Sequence, residues 1–454
     1  MTNKPRDLIK HLDALDVQMA LPKPIGLMAT LGDSRIARIF YSLSNNFGFS
    51  GYTHFTWAQT RLGHPFKIAY NGGISGDTSD KMLARAALAA LSGAGTLLLQ
   101  IGVNDINNAG VGYTTTNTVG PNQGVAVNLT NVASICFANI RYAVHKFLKA
   151  GGQRVIINLE CGAEVFGTGQ IAAVLDLNQY IREFAEITRG VYIYDLWSQM
   201  VDTAASTTST LRFKAGYAAE TVGSGTHQSN LGAYMVGKDF ATFLAATFLS
   251  RIPYLPSNVN EVTGITANQL LLNPLFMTTA GGVGSGTGGI TGTVPGSWTA
   301  DRLNGGGAQT AVVSTGNPAD GSPGKECIMA CTFAGAGDTI RLRQDPLPGN
   351  WNINDIVEGV AAVTIDAGGP LAGVQLDLQH NDGSQTMSIT DLKPLDNGVI
   401  GTDGGTFYLK TPPYKILAKG AGAYLTMRLY AIGSGAGNAT VRWRTVQVRK
   451  RFSL

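Results

Sequence analysis

Apolar periodicity changes character once along this chain, near residue 250, and that change limits the fold more than any single motif does. Before it, short apolar runs at 25–29, 67–71, 96–101, 154–159 and 191–195 alternate with helical stretches at 81–91, 132–150, 171–188 and 231–249. Strands that alternate with helices in this way build a parallel sheet covered on both faces. Beyond 251–258, where Pro253 and Pro256 mark a linker, the helical period is gone. Short alternating runs take over at 338–343, 359–365, 373–378, 406–410, 424–430 and 439–446, separated by Gly-rich turns. That pattern predicts a β-sandwich. Most of the excess among the 58 glycines falls in this half, and no three-residue period accompanies it, which excludes a collagen-like chain.

At 454 residues two large domains are expected. The predicted division is an N-terminal helical arm over 1–24, an α/β domain over 25–252, a linker over 253–268 and an all-β domain over 269–454. In the arm, Leu8, Leu12, Leu15 and Met19 recur every three or four residues, with Asp and Lys opposite. One such helix is short for a coiled coil, so docking on the first domain is preferred to self-pairing. Pro22 and Pro24 stop it.

A net charge of +4 is weak for a nucleic-acid binder, which needs a concentrated basic face. The one basic cluster, Arg442, Arg444, Arg449, Lys450 and Arg451, alternates with Val441, Trp443, Val446 and Val448 and reads as a strand with one wet face. The four cysteines lack zinc-finger spacing with a His partner; Cys327 and Cys331 are close enough in sequence to bridge, or are buried thiols. The N-terminus has no apolar signal core and no run reaches membrane-spanning length, so a soluble protein without membrane insertion is expected. The 284–289 segment is a low-complexity loop, not a phosphate cradle, since no Lys-Ser/Thr follows it and no helix begins there.

Ligands of parallel sheets bind beyond the carboxyl ends of the strands. The first such end reads Thr30-Leu31-Gly32-Asp33-Ser34-Arg35, followed by an apolar-periodic run over 36–40 that predicts a helix. Ser34 in that turn can attack a carbonyl carbon, and its own N–H can hold the resulting oxyanion. The alternative is that Asp33 or Ser34 is only a helix N-cap. The later ends carry Ile74-Ser75-Gly76-Asp77-Thr78, Gly102-Val103-Asn104-Asp105, and Ser224-Gly225-Thr226-His227-Gln228-Ser229.

In these four blocks the chain resembles the SGNH/GDSL hydrolases over roughly residues 25–250. Ser34 matches the family's nucleophile, Gly76 and Asn104 the second and third blocks, and His227 the base. The resemblance implies a flavodoxin-like three-layer α/β/α fold, an oxyanion hole made by Ser34, Gly76 and Asn104, and no metal or organic cofactor. The residues agree: a nucleophilic serine needs a base near neutrality. Of six histidines, His227 alone stands in a Gly/Ser-rich loop opening a helix past the last strand. His145 lies inside a helix pattern, and His11, His54, His64 and His380 lie outside the blocks.

One position departs from the family. Where an Asp commonly stands three residues before the His, this chain has Ser224. A hydroxyl cannot counter an imidazolium as a carboxylate does. The ring is then oriented by Ser224, by another acid (Glu220, Asp202 or Asp195) or by a backbone carbonyl, or Ser34 and His227 act as a dyad. A domain that has lost catalysis is a further alternative. Residues 113–127 read as an insertion that either overhangs the site or is a passive connection.

The second half loosely resembles carbohydrate-binding jelly rolls. Trp298, Trp351, Tyr408, Tyr414, Tyr424 and Trp443 are candidates for stacking on sugar rings, although core is the commoner fate of an aromatic in a sandwich. Together the resemblances imply a serine esterase that removes acyl groups, foremost O-acetyl, from a carbohydrate, acting extracellularly or on a virion like a phage tail-fibre or tailspike deacetylase. The implied partner is an acylated carbohydrate, with a homo-oligomer, trimeric if virion-borne. The alternatives are a lipid esterase or thioesterase, disfavoured by the lack of an amphipathic lid, and a non-catalytic glycan-binding or structural protein.

Overall fold

The computed structural model describes residues 23–43, 45–248, 269–284, 289–303, 309–345, 347, 350–394, 396 and 398–451. In chain order it begins with β1 (Leu27–Gly32), α1 (Ser34–Ala37), β2 (Phe40–Leu43), β3 (Asn46–Ser50), α2 (His54–Arg61), β4 (Lys67–Gly73), α3 (Ser79–Leu91), β5 (Thr96–Gln100) and α4 (Val103–Ala109). It continues with β6 (Tyr113–Thr114), β7 (Ala126–Val127), α5 (Val132–Lys149), β8 (Arg154–Asn158), α6 (Thr168–Ile187), β9 (Val191–Tyr194), α7 (Leu196–Met200) and α8 (Asn230–Thr247). The rest is strand: β10 (Gly282–Val283), β11 (Ile290–Gly292), β12 (Thr299–Leu303), β13 (Thr310–Gly316), β14 (Glu326–Phe333), β15 (Ala336–Gln344) and β16 (Ile356–Ile365). The chain closes with β17 (Leu371–Asn381), β18 (Thr386–Lys393), β19 (Gly405–Lys410), β20 (Tyr414–Lys415), β21 (Tyr424–Ser434) and β22 (Gly437–Arg451). An α/β region is thus followed by a β-sandwich. The predicted linker, and the predicted arm apart from Lys23 and Pro24, lie outside the described residues.

By contact the chain forms two compact units that do not follow chain order. Among the described residues, the first holds 23–37 and 66–212; the second holds 38–65 and those from 213 onward. In the first unit five parallel strands run in the order β4-β1-β5-β8-β9. The central strands are apolar almost throughout, and Leu97, Leu98, Leu99, Val155, Ile156 and Ile157 are fully buried. Helices α3, α5 and α6 pack in series. All three follow strands that step in one direction along the sheet, so right-handed crossovers bring them to one face. The order reverses between β1 and β5, and a sheet of this topology opens its ligand crevice at such a reversal. The helix starts that follow β1 and β5, carrying Ser34 and Asn104, flank it.

The second unit is built on an eight-stranded sheet, β10-β12-β15-β21-β17-β18-β3-β2, and a seven-stranded one, β11-β13-β14-β22-β16-β19 with β20 beside β16. Apolar residues of both sheets form one buried cluster, from Trp298 and Val313 through Leu376 and Phe407 to Trp443. Trp57, Ala233 and Tyr234, from α2 and α8, belong to that same cluster. The Trp57 ring meets Tyr234 edge-on at 5.0 Å and Phe407 at 5.5 Å, and its indole N–H donates to the Gly51 carbonyl at 2.8 Å. The Arg61 guanidinium lies 4.7 Å from the ring centres of both Tyr234 and Phe407. Strand β3 pairs with β18, and a Cβ on Gly48 would stand 2.0 Å from the Thr390 carbonyl oxygen, so this pairing requires glycine.

The run over 36–40 is helical for a single turn only. Ile39, Phe40 and Tyr41 turn instead into β2, where β-branched and aromatic residues fit a pleated surface. Trp298, Trp351 and Trp443 are buried, so none presents a face to a sugar; Tyr408, Tyr414 and Tyr424 are half-exposed. The C-terminal cations are strand residues with acidic partners: Arg442 with Asp366 and Glu326, Arg444 with Asp320, Arg449 and Arg451 with Glu358, and Lys450 with Asp355. All four cysteines are buried free thiols. Among the described residues no helix is long and apolar enough to cross a membrane.

Trp57 lies far in sequence from the sandwich strands it packs with. Trp57→Ala is expected to destabilise the second unit by about 3–5 kcal/mol, the range for a buried large-to-small aromatic change. Urea denaturation followed by circular dichroism measures it; a change below about 1 kcal/mol would show that Trp57 is not part of that core.

Candidate functional site

In the first unit the site begins at the end of β1. A Cβ on Gly32 would stand 2.0 Å from the Gln100 carbonyl oxygen and 2.6 Å from Ile36 Cγ1, so only glycine lets the chain turn here. Asp33 is fully buried, and its Oδ1 accepts the Arg35 N–H at 2.9 Å. The capping role therefore belongs to Asp33. Ser34 is the half-buried first residue of α1. Burial pushes the Asp33 carboxyl up to about 7; Arg35 opposes that shift and Glu160 adds to it.

Arg35 turns inward to Glu160, which is fully buried, and donates also to the Gly162 carbonyl. Glu160 Oε1 accepts the Gly162 N–H at 2.7 Å as well. Asn178 of α6 brackets the same loop, accepting the Glu160 N–H and donating to its carbonyl, both at 2.8 Å. Arg35 closes the first block and Glu160 follows the run at 154–159, but nothing in the sequence pairs two residues so far apart.

The second and third blocks are tied to the first and to each other. Ile74 N–H donates to the Gly32 carbonyl at 3.2 Å. Gly76 has φ +81°, a left-handed turn with open space where a Cβ would be. Arg85 of α3 donates to the Gly72 carbonyl at 2.9 Å and to the Gly32 carbonyl at 3.4 Å, and pairs with Asp77 at 2.6 Å. The Asn104 amide donates to the Asp77 carbonyl at 2.9 Å. An amide carries two N–H groups, so this bond can orient the side chain and still leave a donor to offer. Asp105, fully buried, accepts the Ser79 N–H at 2.8 Å and its hydroxyl at 2.5 Å at the start of α3. Burial pushes its carboxyl up to about 7, with the Ser79 bonds opposing.

The insertion at 113–127 packs on the helices. A Cβ on Gly120 would meet Leu83 Cδ1 at 2.7 Å and Tyr142 Cδ1 at 3.3 Å, and Thr116 N–H donates to Asp80 at 2.7 Å. Asp202 serves its own turn, accepting the N–H groups of Ala204 and Ala205. Asp195 caps α7 and pairs with Arg182.

His227 and Glu220 lie in the second unit. Glu220 Oε1 meets His227 Nδ1 at 2.5 Å, and Oε2 accepts the N–H groups of Thr226 and His227 at 3.0 Å each. Ser224 instead donates its hydroxyl to the Thr221 carbonyl. Burial would raise the Glu220 carboxyl, but the two backbone N–H groups and the imidazole outweigh it and hold the group down at about 2. Gln228 is fixed by α2, its Oε1 taking the His54 N–H at 3.1 Å and meeting His54 Nδ1 at 3.0 Å. Ser229 then caps α8 through Gly232 N–H. Among the described residues no three His, Cys, Asp or Glu side chains gather as metal ligands.

No protein-family model and no curated protein matches the chain. Among solved structures it is similar to a lipase/acylhydrolase from Enterococcus faecalis at 15% identity, over 50% of this chain and 98% of that one, with a TM-score of 0.33. A carbohydrate esterase family 3 protein from Talaromyces cellulolyticus is similar at 12% identity over 48% and 96%, with a TM-score of 0.32. Carbohydrate-binding modules of the β-sandwich superfamily are similar at 17% identity over 34% of this chain and 57% of that one, with a TM-score of 0.26. At these TM-scores the likenesses leave the chemistry to be read from the residues.

Glu220 yields a pH prediction. A carboxyl held at about 2 in the folded state, against its ordinary 4.5, stabilises the fold above pH 4.5 and loses that effect as pH falls through about 2. The stability gap between wild type and Glu220→Gln should be full near pH 6 and shrink toward pH 2. Thermal denaturation across that range tests it, and a gap independent of pH counts against it.

Proposed function

We propose that the chain is a serine carboxylic-ester hydrolase that removes acyl groups, foremost O-acetyl, from a carbohydrate. The carboxylate–imidazole pair of Glu220 and His227 carries this reading. A carboxylate on Nδ1 fixes the tautomer that presents Nε2 as a base and stabilises the imidazolium formed when it takes a proton. The pair supports Glu220, not Ser224 or Asp202, as the orienting group. The turn that presents Ser34, at the sheet's topological reversal with Gly76 and Asn104 on linked loops, supports the nucleophile and oxyanion assignments.

In the proposed reaction Ser34 Oγ attacks the ester carbonyl carbon while His227 takes its proton. The N–H groups of Ser34 and Gly76 and the Asn104 amide hold the oxyanion. The intermediate collapses, the carbon–oxygen bond to the sugar breaks, and His227 returns the proton to the sugar oxygen. Water, deprotonated by His227, then attacks the acyl-enzyme, and carboxylate and free serine are released. The nucleophile needs neither metal nor organic cofactor. The sandwich holds the glycan or assembles copies of the chain, and the setting is extracellular or virion-borne, as in phage tail deacetylases of bacterial surface glycans.

Ser34→Ala is expected to abolish hydrolysis of p-nitrophenyl acetate and acetate release from O-acetylated polysaccharide; wild-type rates in that variant would end the assignment. Asn104→Ala should lower kcat by about 10²–10³ with little change in KM, the usual effect of losing one oxyanion donor. Glu220→Gln should lower kcat by roughly 10²–10⁴ and move the acid limb of the pH–rate profile downward, because the imidazolium loses its counter-charge. Faster turnover of long-chain than of acetyl esters would favour a lipid substrate instead.

A further inference from the structure

We infer that Arg35 and Glu160 are positioning residues for the nucleophile, an inference that rests on the esterase reading of Ser34. A helix of four residues cannot hold its own geometry, because one turn fixes several dihedrals for little hydrogen bonding. Helix α1 nevertheless presents Ser34, so its orientation is set from outside. The residues on either side of Ser34 do this. Asp33 caps the turn through Arg35 N–H, and the Arg35 side chain reaches across to the loop after β8.

The fork of Arg35 closes on two groups of that loop, the Glu160 carboxylate and the Gly162 carbonyl. A guanidinium fork bound at two points fixes direction as well as distance, which a lysine ammonium cannot do. Glu160 is held in turn by Gly162 N–H on its carboxylate and by the paired backbone bonds to Asn178 of α6. Their side-chain exposures, 7% for Arg35 and 0% for Glu160, keep water from competing. A continuous chain therefore runs from a twenty-residue helix, through Asn178, Glu160 and Arg35, to the residue beside the nucleophile. The bonding also gives a reason for keeping an ion pair where burial of charge is costly: it ties the turn carrying Ser34 to the loop after β8, in addition to the packing of Ile36.

The test compares Glu160→Gln and Arg35→Lys with wild type and Ser34→Ala. It reads kcat and KM on p-nitrophenyl acetate, the labelling rate of Ser34 by a fluorophosphonate, and Tm. Displacing a reacting group by about 1 Å costs about 10²-fold. Each variant should therefore lose about 100-fold in kcat and in labelling rate at temperatures where it remains folded, with KM nearly unchanged. A merely structural role lowers Tm and leaves both rates of the folded protein intact, and that result overturns the inference. Should Glu160→Gln fail to fold, Arg35→Lys, which keeps the charge, reads the same quantities. An active Ser34→Ala would sink the esterase reading itself. An inactive Ser34→Ala beside a fully active Glu160→Gln or Arg35→Lys sinks only the positioning role.

Discussion

Backbone N–H groups in turns and at helix starts have no ladder to bond with, and in this protein carboxyl groups take up several of them. Asp33 receives the Arg35 N–H, Asp105 the Ser79 N–H, Glu160 the Gly162 N–H, and Glu220 those of Thr226 and His227. Glu220, held down at about 2, is ionised near neutral pH, and an ionised acceptor on backbone N–H groups bonds about twice as strongly as a neutral one. The charge is offset locally: Arg35 serves Glu160, Arg85 serves Asp77, and the His227 ring lies against Glu220. Ser34, Gly76 and Asn104 each adjoin an aspartate in sequence, and His227 meets Glu220 in space.

The strands and long helices of both regions were legible because their signal is local. Periodicity placed β4, β5, β8 and β9 and helices α3, α5, α6 and α8 within a few residues of their bounds, and the regime change near residue 250 separated the α/β from the all-β pattern. The attachment of β2, β3 and α2 to the sandwich was not legible. β2 and β3 are only four and five residues long, and β3 pairs with β18 more than 300 residues away. Nothing near Gly48 announces that its partner is Thr390, and nothing near Trp57 announces Phe407. Short pieces stabilised by tertiary pairing carry little periodicity of their own. The amphipathic C-terminal strand was legible, but the acids that neutralise it were not, since Glu326 and Glu358 come from other strands and Asp366 from just beyond one.

At the candidate site the same distinction holds at the scale of single residues. Ser34, Gly76, Asn104 and His227 drew notice because each stands at the end of a predicted element in a recognisable order. Their supports did not: Arg35 lies 125 positions from Glu160, and Asp105 lies 26 from Ser79. A partner at that separation can be seen only once the strands that carry it are side by side.

The position of the acid on the His227 ring shows what a spacing rule encodes. A carboxylate three residues before a histidine reaches the ring because a particular loop shape brings it there. In this chain Ala218 and Gln228 form a bridge and Ala219 N–H bonds the His227 carbonyl, which folds the segment between them back on itself. Seven positions then span the distance that three span in another loop, and Glu220 arrives at Nδ1 while Ser224 is turned to Thr221. The longer loop gives Glu220 a second task, because its other oxygen closes the turn on Thr226 and His227. Contact with the ring and closure of the loop are consequently made by one side chain, and the hydroxyl at position 224 takes no part in either.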